Sequence, residues 1–363
     1  MTDQRAERPV VRTHAEAVAV AQDPDTYSSR VSRFLQVPNG MDGAEHAAMR
    51  RLLAPFLSPA RMAALRPALE RTAAGLLDPL ADGTALDAVG DLGSHYAVRA
   101  QSAWLGWSPG LEDELIAWMA ANHEATRSGE LARTREVAER FDRIIAAIIA
   151  ARREPGAAHD LTWELVHTRD EDGRTLPDPV LVSILRNWTG GDLGSLALCA
   201  GVVVGWLVAD GSRQDEWRGL DDASLDAAID EVLRIDDPFT SNRRVTTREV
   251  RVAGRDVPAG TQLVIDWTRA NRDPAVFGDP DRYDPAGNAD RNLVYGTGPH
   301  ACPGRSLATL ELRVLTRALL SRFRLESGGR GVRALFPLGG WESLPVVLRA
   351  PRRRGFFHAL ARL

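Results

Sequence analysis

Tyr295-Gly296-Thr297-Gly298-Pro299-His300-Ala301-Cys302-Pro303-Gly304 runs directly into the helix-forming stretch 305–323. The glycines at 296, 298 and 304 permit backbone angles, and a closeness to a flat bound group, that a Cβ would forbid. Cys302 is thereby able to present its sulfur from directly beneath such a group. The helix start beyond it offers free N–H groups and a positive dipole end, expected to hold the cysteine as thiolate, the form that ligates metals. Two plainer readings are weaker. A structural zinc site needs four ligands in paired spacing, and the other cysteine, Cys199, stands alone in an apolar run. A merely buried thiol would need none of the glycines.

The run resembles the cysteine-ligand signature of the cytochrome P450 family, phenylalanine-glycine-x-glycine-x-histidine-x-cysteine-x-glycine. Only the first position departs, where Tyr295 replaces phenylalanine. The resemblance extends from about residue 13 to about residue 349, with further motifs in the family's order. It implies haem b as cofactor, with the Cys302 thiolate on iron, a ligand that pushes electron density onto the metal and favours O–O cleavage. Tyr295, Gly296, Gly298 and His300 would then border the cofactor.

Glu231 and Arg234 stand three apart and share a helical face, which alone reads as a surface ion pair. In order and distance before the cysteine loop they match the family's glutamate-x-x-arginine motif. The resemblance implies a buried triad of Glu231, Arg234 and Arg282 that fixes the loop. His46 and Arg50 lie one turn apart in 42–53. The family uses such a pair, with a histidine in the cysteine loop and an arginine after the glutamate helix, to clamp the haem propionates. His300 and Arg244 are the matching positions, Arg244 preferred to Arg243. Arginine suits the task because its planar fork meets a carboxylate with two parallel hydrogen bonds.

The stretch 178–209 shows helical period, with Asp178 as candidate cap and Pro179 in the first turn. At 1.5 Å per residue it is roughly 46 Å long, enough to cross the molecule. In the family this helix crosses the haem face where oxygen and substrate meet, and usually carries an acid followed by threonine. Asp192 supplies the acid, but Leu193 stands where threonine is expected. Ser195 either supplies a replacement hydroxyl, if the helix unwinds at Gly190, Gly191 and Gly194, or bonds back to a preceding carbonyl. Three routes stay open: protons through Asp192 and Ser195, protons relayed by the substrate, or peroxide in place of dioxygen.

The expected fold is mainly α with small β-sheet regions, a single P450 domain over residues 13–350 between an N-terminal extension (1–12) and a basic, apolar tail (351–363). Residues 28–41, which should roof the pocket, are few, so a thin roof and wide access are expected. Family lining positions fall on Phe34, Gln36, Val37, Gly190, Gly191, Phe239, Thr240, Ser241, Gly340 and Trp341. A hydrophobic content of 44% suffices for a sizeable core, and a net charge of −4 gives no reason to expect nucleic acid. The polar start 1–8 lacks a signal-peptide core, and the apolar run 193–209 falls short of the ~20 residues of a spanning helix. A cytoplasmic enzyme with no membrane span is expected. The resemblance implies a ferredoxin or flavin-type electron donor, since no reductase domain is attached, and a small-molecule or short-peptide substrate. Hydroxylation leads; oxidative aryl coupling of an aromatic peptide, peroxygenase chemistry and a non-catalytic haem-binding module are the alternatives.

Overall fold

A single helical axis organises the molecule. In this computed structural model, which describes residues 8–351, helix α3 (Asp178–Gly190) runs into α4 (Asp192–Ala209). Gly191, between them, keeps helical angles (φ −73°, ψ −45°), so the axis continues through the joint. Helix α4 is apolar nearly all round and buries Leu193, Leu196, Ala200, Val203 and Leu207. A helix of that pattern belongs in a core. Among the described residues 178–209 is the one helix long and apolar enough to cross a membrane, yet 61% of its apolar window is buried inside the protein. Asp178 does not cap it: Pro177 holds the N-cap, and the Asp178 carboxylate pairs with Arg153.

Around this axis lie α1 (Gly43–Leu53), α2 (Glu112–Ser128), α5 (Asp222–Ile235) and α6 (Arg305–Arg322). The fold is mainly helical with small sheets. The largest sheet contains β1 (Val10–Val11), β2 (Tyr27–Ser28), β3 (Ser241–Thr246) and β4 (Gln262–Asp266) in the order β1-β4-β3-β2. β1 pairs with β4 in parallel, Val10 opposite Val264; the other pairings are antiparallel. A second apolar cluster, including Val11, Val20, Leu263, Ile265 and Trp267, lies beneath this sheet. Val11 is fully buried there, so the body begins before the expected boundary at residue 13. Residues 1–7 and nearly all of the expected tail, 352–363, lie outside the described residues.

No helix forms between β2 and α1, and the intervening strap is tied to α3. Ser183 Oγ donates to Leu35 O at 3.0 Å and accepts from Val37 N–H at 2.8 Å, and Asn187 Nδ2 donates to Val37 O at 2.9 Å. This anchoring turns Val37 into the core, 2% exposed, and leaves Phe34 outward at 55%. Neither borders the two cavities at the helix joint, contrary to expectation.

Candidate active site

The cysteine loop is shaped by Gly296 and Gly298, at φ 66° and 75°. Gly298 is needed for docking as well: a Cβ there would stand 2.5 Å from Ala21 O. Cys302 N–H donates to Tyr295 O at 2.9 Å, and α6 starts three residues beyond the sulfur. Cys302, Tyr295, Gly296 and His300 line one side of a cavity of about 310 Å³. Gly191, Asp192 and Ser195 of the central helix line the other, and Arg50 of α1 and Arg244 of β3 also reach it. Strand alternation decides between the two neighbouring arginines: Arg244 is buried and Arg243 faces out.

Cys302 is exposed on the cavity, yet desolvation by the surrounding protein pushes its thiol up to about 11, with Asp192 adding to the effect. The backbone N–H groups of Gly304 and Arg305, and the Arg50 charge, pull the other way but less. The helix start therefore does not produce a thiolate unaided; a metal cation at Sγ would supply the missing positive charge. His46 and His300 stack with ring centroids 4.1 Å apart. Burial and neighbouring positive charge keep both rings neutral, pulling His300 down to about 4. His300 Nε2 is buried without a hydrogen bond, Asp42 Oδ1 lying 3.4 Å away but off axis. Burial also weakens the basicity of Arg50 and Arg244, and neither forms an ion pair with a carboxylate among the described residues. A soft sulfur facing two guanidinium groups and an orphaned imidazole nitrogen fits a metal-bearing ring with anionic arms. Cys302 Sγ and Asp192 Oδ2 stand 3.8 and 3.9 Å from where a Gly304 Cβ would be, so a ring seated on the sulfur would turn the Asp192 side chain aside.

Glu231 and Arg234 form a fully buried fork, with Nε and Nη2 donating at 2.8 and 2.9 Å. Arg282 does not complete it. Its side chain is 74% exposed and 4.0 Å from Asp284, and only its carbonyl oxygen accepts from Arg234, at 3.4 Å. Asn288 takes the place expected of it: Nδ2 donates to Glu231 Oε1 at 2.8 Å, beside Asp284 N–H at 3.0 Å. The short helix Pro285–Asn288 turns Asn288 inward, while Arg282 lies in the irregular segment before it.

Burial raises Asp192 to about 7. Leu193 is buried, and Ser195 Oγ donates back to Gly191 O at 2.7 Å and Asp192 O at 3.2 Å, which commits its proton within the helix. Of the expected lining positions, Gly190, Gly191 and Phe239 border cavity space. Gln36, Thr240 and Ser241 border neither of these two spaces; Thr240 Oγ1 donates to Pro337 O, and Ser241 sits opposite Asp266 in the sheet. Gly340 and Trp341 are packing residues on the far flank of α4, where Trp341 Nε1 lies 2.6 Å from the Cβ position of Gly205 and Gly340 faces Val202.

Sequence comparison agrees with this geometry. A profile described as Cytochrome P450 matches residues 213–339. Cytochrome P450 126 of Mycobacterium tuberculosis is 30% identical over 340 residues, covering 86% of this chain and 80% of that protein. The chain belongs to the cytochrome P450 family. Cyclomarin C epoxidase CymV of Salinispora arenicola is 30% identical over 85% of this P450 and 81% of its own length. The open structure of P450 EryK from S. erythraea superposes with a TM-score of 0.85 at 27% identity, covering 98% of this chain and 93% of that one. As a P450 it is a monooxygenase-type oxidoreductase. Sequence reasoning missed Asn288 and Asn187, which carry no motif. It also missed Glu311, a buried carboxyl on α6 that lines the cavity, receives Gln101 Nε2 at 3.3 Å and is pushed by burial well above the usual carboxylate range.

Proposed function

We propose that this P450 binds haem b through the Cys302 thiolate and oxidises an apolar organic, natural-product-type substrate with dioxygen. Electrons arrive singly from a separate ferredoxin or flavin protein in the cytoplasm. One observation carries the reading: Cys302 shares a cavity with Arg50, Arg244 and the unpartnered His300 Nε2. The epoxidase of Salinispora arenicola, similar over most of this chain, supports a secondary metabolite as substrate.

When bound, haem supplies iron for activating oxygen under the electron push of its sulfur ligand. The protein's residues do the rest. Arg50, Arg244 and His300 would hold the propionates, and the buried Glu231–Arg234 fork holds the segment 271–288 that leads into the cysteine loop. Leu193, Leu196 and Trp188 exclude water around the helix joint. Asp192, the cavity-lining carboxyl at the helix joint, is the group able to hold and release a proton there. The test is the reduced carbon-monoxide spectrum: wild type should show the red-shifted thiolate Soret band, and Cys302→Ser should lose it while keeping the fold. A red-shifted band in the serine variant overturns the assignment.

A second reading, turnover driven by hydrogen peroxide, draws support from Leu193 and the committed hydroxyl of Ser195. Product formed with peroxide alone, at a rate matching the donor-driven reaction, would establish it.

A further inference from the structure

Beside the haem-side cavity lies a second chamber of about 180 Å³, bounded by α2, the α3–α4 joint, Phe239 and Leu338. The two spaces share Gly191, Ser195 and Phe239. The chamber is mainly apolar, walled by Trp118, Met119, Leu198, Pro238, Phe239 and Leu338. A space of about 150 Å³ is enough to admit a benzene-sized ring. Phe239 is 47% exposed and bridges to Leu338, so this wall reaches the surface and a larger scaffold has room to protrude.

Polar groups enter from α2, and His123 is the pivotal one. Its imidazole presses on bare main chain: a Cβ at Gly194 would stand 2.8 Å from Nε2. Among the described residues nothing hydrogen-bonds the ring. The nearest charges are engaged elsewhere, Arg127 with Glu342 at 2.5 Å. Burial lowers the basicity of His123, which keeps the ring neutral, with one N–H and one lone pair to offer.

We propose that His123 is the specificity-determining residue of this chamber, hydrogen-bonding a hydroxyl carried on a ring-sized apolar arm of the substrate. The inference rests on the haem-thiolate reading and deepens it by naming the substrate class, an apolar ring-bearing alcohol or phenol. A neutral imidazole suits a hydroxyl because either tautomer can pair with it. The choice is sharpened because an apolar arm that displaces water without offering a hydroxyl leaves the imidazole unpaired.

The test titrates the haem-loaded enzyme with imidazole and with 1-phenyl-, 1-benzyl- and 1-(2-phenylethyl)imidazole, each aryl compound with and without a para-hydroxyl, following the Soret band. The azole binds iron, and the three tethers carry the ring to different depths. At one tether length the hydroxyl should tighten binding about tenfold in wild type. His123→Phe should abolish that gain and His123→Gln restore most of it, the gain in each protein being the ratio of its affinities for the hydroxylated and the unsubstituted ligand. A hydroxyl gain below about threefold at every length, or one that persists in His123→Phe, overturns the proposal. Absence of any Soret shift with imidazole itself overturns the haem-thiolate reading and the proposal with it.

Discussion

Arg234→Ala should be among the most damaging single changes outside the cysteine loop, and Arg282→Ala should be nearly silent. Arg234 is fully buried and gives Nε to Glu231 Oε2 and Nη2 to Oε1, with further donations to Asn271 O at 2.8 Å and Pro280 O at 3.2 Å. Truncation leaves Oε2 with no donor, Oε1 with only Asn288 and Asp284, and the carbonyls of Asn271, Pro280 and Arg282 without this donor. Removing one partner of a buried pair costs about 3–5 kcal/mol, because the other charge stays buried uncompensated. Arg282 loses only an exposed contact at 4.0 Å, so its truncation should cost under about 0.5 kcal/mol. Arg234→Lys keeps the charge but not the fork and should fall between. The assay is urea unfolding of the haem-loaded variants, followed by circular dichroism and Soret absorbance together. Arg282→Ala costing more than about 2 kcal/mol, or Arg234→Ala less than about 1, would show that the third partner of Glu231 has been misassigned.

Three further outcomes are expected. Asp192, raised by burial from 3.8 to about 7, keeps in the folded state a proton that the unfolded chain has lost, so its contribution to stability falls as pH rises through that window. In protein prepared without haem, Asp192→Asn should therefore gain on wild type between pH 5 and pH 8, by up to about 3 kcal/mol in urea unfolding; a constant difference would refute the shift. Leu193→Thr should lose about 2 kcal/mol of stability at a fully packed site. It should nonetheless raise the fraction of donor electrons that end in product, whereas unchanged coupling would favour protons relayed by the substrate or the peroxide route. Gly298→Ala, with φ 75° and a Cβ 2.5 Å from Ala21 O, should cost at least about 2 kcal/mol and hasten haem loss measured by transfer to apomyoglobin.

What sequence made legible was local. The cysteine loop, the His46–Arg50 spacing and the Glu231–Arg234 spacing each fix a geometry within one turn or one helix, and the structure places those residues accordingly. Arg244 over Arg243 came from the family resemblance, and the strand buries Arg244 and turns Arg243 outward. Arg282 failed because spacing does not say which way a side chain points in an irregular segment; a short helix later, Asn288 faces inward instead. Trp341, Gly340 and Val37 failed for a longer-range reason. Whether such residues meet a cavity or the flank of α4 depends on packing between elements far apart in the chain. His123 offered no signal at all, being one histidine on an amphipathic helix whose importance arises from three glycines some seventy residues away.

Those glycines have a consequence of their own. Where α2 crosses the joint, the chamber's floor at Gly190, Gly191 and Gly194 is main chain. Main chain has no rotamers to flip, so this wall holds its shape before any ligand arrives. It can be reshaped only in whole methyl groups. An alanine at 190 would just touch Trp118 and Phe141, both 3.4 Å from its Cβ, while one at 194 would force the His123 ring to move. The same short stretch of helix thus offers graded narrowing at one position and loss of a hydrogen-bonding group at another, a simple route by which related chains could come to admit different molecules.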